Sequence, residues 1–228
     1  LYRKAKLIVS TNPKWLLTIP ILCRKEFELY MGDPFTNDII KKYQRFYSLI
    51  WKYSINLIKK INVFSPFLYD DLVLEFKKSK VRLLKRKAIK NLPKMKGNGV
   101  LYLGDFHSED RNLQPFLMAI KKTNTSVDFF GNGDLPEQEA LNKNLTQKKR
   151  VKFSDIINII PKYKILLIIL NRSGNQVPGK LYDFCKAPFP VLVLFEKRQD
   201  LSSLPKPSHF YYCLNRKDKI LKILRRLL

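Results

Sequence analysis

Acidic residues are scarce in this 228-residue chain, with 19 Asp and Glu against 44 Lys and Arg and a formal net charge of +25. That excess goes beyond what solubility needs and implies an anionic partner: nucleic acid, anionic lipid or a nucleotide diphosphate. Part of it is compositional, because Lys, Ile and Asn are abundant together. Histidine is scarcer still. With only His107 and His209 present, a histidine-rich metal site is excluded by count and a catalytic dyad has little support. The three cysteines, Cys23, Cys185 and Cys213, have no CxxC spacing and leave one over after any pairing, which predicts reduced thiols in a cytosolic protein. No signal peptide and no apolar run of about 18 residues is visible. Leu1 stands without a preceding Met and the first segment reads as a strand inside a fold, so the expectation is that an N-terminal piece is missing.

What is present is apolar residue enough for a core. Hydrophobic residues make up 45% of the chain, which suits one large domain or two small ones. Short β-rich runs alternate with helical stretches, the pattern of parallel sheets covered by helices. In the first part the runs are Lys6 to Ser10, Phe27 to Tyr30, Ile61 to Phe64 and Val81 to Leu84, with a long helical stretch from about Asn37 to Lys60. A Pro-, Gly- and Lys-rich linker covers Lys87 to Gly99. Beyond it come Val100 to Leu103, Val127 to Phe130, Ile165 to Leu170, Pro190 to Leu194 and Phe210 to Cys213, then a helix from Arg216 to Leu228. The fold expected is α/β with two Rossmann-like domains, residues 1–94 and 95–228, the first incomplete.

The most informative stretch runs from Gly174 to Cys185 and is closed by the apolar run Pro190 to Leu194. A loop ending in Pro178-Gly179 and entering a helix leaves backbone N–H groups facing forward, an arrangement that attracts phosphate. Lys180 falls in the first turn as a mobile cation, and Asp183 lies three residues on, near the same face. A cation for diphosphate and a carboxylate for ribose hydroxyls make a chemically sensible pair. As a bland alternative, the two form a surface ion pair worth a few tenths of a kcal/mol.

On Pro178, Gly179, Lys180, Leu181, Tyr182, Asp183 and Phe184 the chain resembles the glycosyltransferases of the two-Rossmann-domain GT-B architecture, in the glycogen-synthase-like group. That group carries an acidic pair separated by seven residues. Its second member falls on Asp183 and its first on Asn175, where the group has Glu. The resemblance extends to two more loops. Gly104 matches the glycine that lets the nucleotide approach, and Arg111 sits near a lysine used for the diphosphate, while Asp105 replaces the usual arginine, so one of two cations is absent. His107 is close enough to that loop to reach donor phosphate. Gly131-Asn132-Gly133 matches the Gly-x-Gly after the next strand, and is equally an ordinary turn. The first half resembles the group more faintly, through Asn12-Pro13, Phe64-Ser65-Pro66 and Asn91-Leu-Pro93. Asn12 and Asp33 are the residues placed on the acceptor side.

The resemblance implies a retaining enzyme that needs no metal or other cofactor and takes a nucleotide-diphosphate sugar as donor. Lys180 and Arg111 would stabilise the departing diphosphate. A glycan or lipid-linked acceptor follows, at the cytoplasmic face of a membrane. The stretch Asp38 to Lys60 interleaves Lys41, Lys42, Arg45, Lys52, Lys59 and Lys60 with Tyr43, Phe46, Tyr47, Ile50, Trp51 and Tyr53. It is either a basic, aromatic surface for an anionic bilayer or a core-facing aromatic stripe with a solvated basic face. Two rival functions stay open, a nucleic-acid-binding basic protein and a GT-B-like subunit without turnover.

Overall fold

The computed structural model describes residues 7–10, 26–31, 44–84, 86–106, 111–133, 135, 144–172, 178–196, 201 and 204–228. It is α/β throughout, with two wholly parallel sheets, one in each of two compact units. Asn12, Asp33, His107 and Asn175 lie outside the described residues.

The first unit comprises Leu1–Arg86 and Gly174–Val177, and its described residues hold a four-stranded sheet. Its strands are β1 (Leu7–Ser10), β2 (Phe27–Met31), β3 (Ile58–Val63) and β4 (Val81–Leu83), neighbours in sequence order. The expectation of a helix reaching Lys60 fails here. Helix α1 covers Gln44–Ser54, one 3-10 turn follows over Ile55–Leu57, and Ile58 already opens β3. Ser54 donates its buried hydroxyl to the carbonyl of Ile50 at 2.7 Å, and Ile55, Ile58 and Ile61 are β-branched, so the chain leaves the helix where propensity turns toward strand. On the described part of the basic, aromatic stretch, Ile50 is buried and Trp51 packs edge-on against Phe76 with ring centroids 5.8 Å apart, while Lys52 and Tyr53 face solvent. Lys59 pairs with Glu26. Helix α2 (Pro66–Glu75) starts as Ser65-Pro66 announces: the Ser65 side chain accepts from the Leu68 amide and Pro66 occupies the first turn.

The second unit comprises Lys87–Ser173 and Pro178–Leu228. Its strands are β5 (Val100–Leu103), β6 (Val127–Phe130), β7 (Leu145–Lys148), β8 (Ile165–Ile169), β9 (Val191–Phe195) and β10 (Phe210–Leu214). Across the sheet they stand in the order β7-β6-β5-β8-β9-β10. This is third, second, first, fourth, fifth, sixth, the doubly wound order in which strand sequence reverses between the first and fourth strands. Every residue of β5 and β8 is buried, as a sheet covered on both faces requires. Strand β7 was not anticipated from the sequence. Only Leu145 of Leu-Thr-Gln-Lys is buried, because β7 is an edge strand with one neighbour, and its polar composition reads as loop.

One face of this sheet packs under α3 (Gln114–Ile120) and α6 (Lys217–Leu227) through Phe116, Leu117, Ile120, Ile220 and Leu224. In α6 the buried Ile220 and Leu224 are four residues apart, while Lys217, Lys219, Lys222, Arg225 and Arg226 are exposed. Two short helices, α4 (Phe153–Ile159) and α5 (Lys180–Asp183), are also present among the described residues. The linker-like stretch is hydrogen-bonded to this unit, with Ile89 N–H on the Asp183 carbonyl at 2.8 Å and Gly97 N–H on the Pro161 carbonyl at 3.0 Å. No helix of the described residues is long and apolar enough to cross a membrane.

Because Leu224 is fully buried and shares the core with sheet and α3, Leu224→Ala should destabilise the second unit by about 2–5 kcal/mol in chemical denaturation. Lys222→Ala on the exposed face should stay within about 0.5 kcal/mol.

Candidate functional site

In a doubly wound sheet the crevice opens at the carboxyl ends of the strands, where strand order reverses, here between β5 and β8. Four loops of the second unit meet there. Gly104 follows β5 with φ at +114°, a backbone conformation that residues other than glycine rarely adopt. Its neighbour across the sheet, Gly131, ends β6. A Cβ on Gly131 would lie 2.2 Å from the Gly104 carbonyl oxygen, so the two backbones touch where any side chain would part them. The Gly104 amide donates to the Phe130 carbonyl at 2.8 Å, Phe106 bridges to Gly133, and Gln147 of β7 donates to the Gly133 carbonyl at 2.9 Å. Gly131-Asn132-Gly133 is thus joined to the β5 loop and is more than an isolated turn.

Lys180 reaches this point from α5. Its ammonium lies over Gly104, where an added Cβ would come within 2.0 Å of Nζ, and 5.9 Å from the centre of the Tyr102 ring. Burial pushes the lysine down to about 8, helped by the positive fields of Arg111 and Arg150 and opposed by Asp105 and Asp183. Arg111 is held by three acceptors: Asn171 Oδ1 at 3.1 Å, the Tyr102 hydroxyl at 3.3 Å, and the Asp105 carbonyl. Asn171 follows β8, so the guanidinium joins the loops on both sides of the reversal. Tyr102 in turn donates to the Asp105 carbonyl at 3.1 Å, and burial raises its phenol above the ordinary range.

Of the residues singled out in the sequence, Gly104, Arg111, Gly131, Gly133 and Lys180 come together here, with Asp183 one turn beyond Lys180. Pro178 and Gly179 lead into α5 as expected: the Pro178 carbonyl accepts from Leu181, and that of Gly179 from Tyr182 and Asp183. Helix α5 is only four residues long, so its dipole is that of one turn and the side-chain cations supply most of the field. Four partners were not anticipated as site residues. Asp105 accepts from the Asn132 amide at 2.9 Å and pairs with Arg150, and Asn171 and Tyr102 orient Arg111. Arg150 is visible in the sequence only as the end of the run Lys148-Lys149-Arg150, which reads as a solvated charge cluster.

No family model matches the chain and no curated protein matches it. Solved structures do, at the level of fold. A mutant of S. aureus TarM in complex with fondaparinux, alpha-GlcNAc-glycerol and UDP aligns over 87% of this chain and 44% of its own, with a TM-score of 0.58 and 15% identity. A glycosyltransferase from Rickettsia africae aligns over 95% of this chain and 70% of its own, at 0.56 and 11%. The UDP-GlcNAc 2-epimerase from Methanocaldococcus jannaschii aligns over 97% and 69%, at 0.53 and 10%. The chain spans less than half the length of TarM. Its fold is therefore the GT-B-type, Rossmann-like one shared by glycosyltransferases and by UDP-GlcNAc 2-epimerases.

Two outcomes follow from this geometry. Gly131→Ala should destabilise the second unit by about 1–3 kcal/mol, because the new methyl meets rigid backbone, and thermal unfolding measures it. Lys180 is charged below its depressed value and neutral above it, so anion affinity should fall as pH rises through about 8. Lys180→Arg, which keeps its charge, should flatten the calorimetric profile between about pH 7 and 9.5.

Proposed function

We propose that the chain holds a nucleotide-diphosphate sugar at the carboxyl end of β5 and transfers its sugar, with retention and without a metal, to a glycan or lipid-linked acceptor. The observation that carries this reading is the Lys180 ammonium lying over a side-chain-free Gly104, with the Arg111 guanidinium beside it. Glycine there lets a phosphate approach the backbone, and two cations meet it on arrival.

The chemistry asks little of a general base. As the bond from sugar to diphosphate breaks, negative charge grows on the leaving oxygen, and cations fixed before the reaction stabilise that charge without reorganising. Arg111 is fixed in this sense by Asn171, Tyr102 and the Asp105 carbonyl. Lys180, partly desolvated, gains most from an incoming anion, which restores the charge that burial disfavours. Asp183, on the same short helix, would accept ribose hydroxyls. Pro178 and Gly179 set the entry of that helix.

The fold is shared with epimerases as well as transferases, so the assay must tell them apart. Charge-assisted contacts to phosphate are each worth on the order of 1.5–3 kcal/mol. Lys180→Met should weaken UDP or GDP binding about tenfold or more in calorimetry, while Asp183→Ala should weaken nucleotide and spare free pyrophosphate. Labelled sugar from a donor panel should appear on membrane lipid or glycan with release of nucleotide diphosphate. Interconversion of the donor without an acceptor would replace transfer by epimerisation. Binding with neither reaction would favour the non-catalytic subunit, and binding of nucleic acid but no nucleotide would favour the basic-protein reading.

A further inference from the structure

We propose that Arg150 is a third diphosphate-gripping cation, beside Lys180 and Arg111, paired with Asp105 in this structure and able to exchange that carboxylate for a phosphate oxygen. The inference rests on the nucleotide-sugar reading of the same site and adds to it a residue from a different strand.

The topology carries Arg150 to the site. Edge strand β7 pairs in parallel with β6, Phe130 against Lys148, and the Gly131 amide donates to the Lys148 carbonyl at 3.1 Å. The chain leaving β7 therefore runs beside the loop after β6, and that loop is joined to the end of β5. Two residues past Lys148, Arg150 reaches Asp105, whose other carboxylate oxygen is occupied by the Asn132 amide at 2.9 Å. Arg150 thus pairs with the Asp105 carboxylate, Arg111 takes the backbone carbonyl of the same residue, and Lys180 lies within electrostatic reach of all three, so the loop ends carry an excess of positive charge.

The three cations differ in freedom. Arg111 is held by Asn171, Tyr102 and the Asp105 carbonyl, and Lys180 is largely buried over Gly104. The Arg150 side chain is 63% exposed, so it can swing without disturbing the core. Its field also helps to hold Lys180 down, which places its charge within electrostatic reach of the ammonium. A guanidinium offers a planar fork that matches two phosphate oxygens, and a diphosphate carries more charge than the Asp105 carboxylate with which it would compete. The sequence has Asp105 where the resemblance leads one to expect an arginine, and the structure brings an arginine to that carboxylate from elsewhere.

The test titrates UDP and inorganic pyrophosphate into the wild type and into Arg150→Gln, Lys149→Gln, Asp105→Asn and Lys180→Met. Arg150→Gln should weaken both probes about tenfold, the loss of one charge-assisted contact, with an unchanged thermal midpoint. Lys149→Gln removes the same charge from the exposed neighbouring residue and should change affinity less than about twofold. Asp105→Asn keeps an acceptor for Asn132 and removes the competitor, so pyrophosphate should bind several-fold tighter. Equal losses in Arg150→Gln and Lys149→Gln, or none in Arg150→Gln while Lys180→Met loses binding, would overturn the role of Arg150 and leave the site standing. No binding of either probe to the wild type would remove both readings.

Discussion

The contact on which the rest of the second unit's loop geometry depends is the close approach of backbone to backbone at Gly131 and Gly104. A Cβ on Gly131 would meet the Gly104 carbonyl at 2.2 Å, so the loops after β5 and β6 can touch only while residue 131 has no side chain. Once they touch, Asp105 is near enough to take the Asn132 amide, Phe106 can bridge to Gly133, and Gln147 can tie the edge strand to the same turn. Gly104 serves a different purpose. Its backbone turns through φ +114° and leaves a bare surface on which the Lys180 ammonium lies.

That placement has a thermodynamic consequence. A lysine brought down from 10.5 to about 8 binds fewer protons in the folded than in the unfolded chain between those values. Stability accordingly rises with pH across that window, and the cost of burying the ammonium is fully present below it. A bound anion reverses the balance, because it favours the charged lysine in the folded state alone. Binding of an anion here would thus recover part of the folding cost, and the recovery would be greatest where the incoming charge is multiple. The fixed guanidinium of Arg111 and the exposed one of Arg150 act on the same region from different elements, one between β5 and β8, the other from beyond β7.

Much of this was legible in the sequence, and the reasons for the rest are physical. Runs such as Val100 to Leu103 and Ile165 to Ile169 announce themselves because a parallel strand buried on both faces needs continuous apolar residues. Edge strand β7 lacks that requirement, so Leu-Thr-Gln-Lys carries no strand signal although it pairs along its length with β6. The helix thought to reach Lys60 ended at Ser54, where a hydroxyl bonded within its own helix and a change to β-branched residues outweighed the amphipathic pattern. Lys180, Gly104 and Arg111 could be found by local motif. The Asp105–Arg150 pair could not, since 45 residues separate its members and only the sheet order brings them together.

Strand order also explains why the net charge of +25 says little about the site. Exposed charges act over about 8 Å at physiological ionic strength, and the basic residues of α6 have a local reason to be exposed. On α6, Lys217, Lys219, Lys222, Arg225 and Arg226 form the outer face of a helix whose inner face is fixed by Ile220 and Leu224. Replacing them all would change the long-range field, which steers encounter and depends on salt, and would leave the loop ends as they are. The cations that would hold a diphosphate are those delivered by the loops after β5 and β7 and by the short helix before β9. They are few, and their usefulness follows from desolvation and from the glycines beneath them.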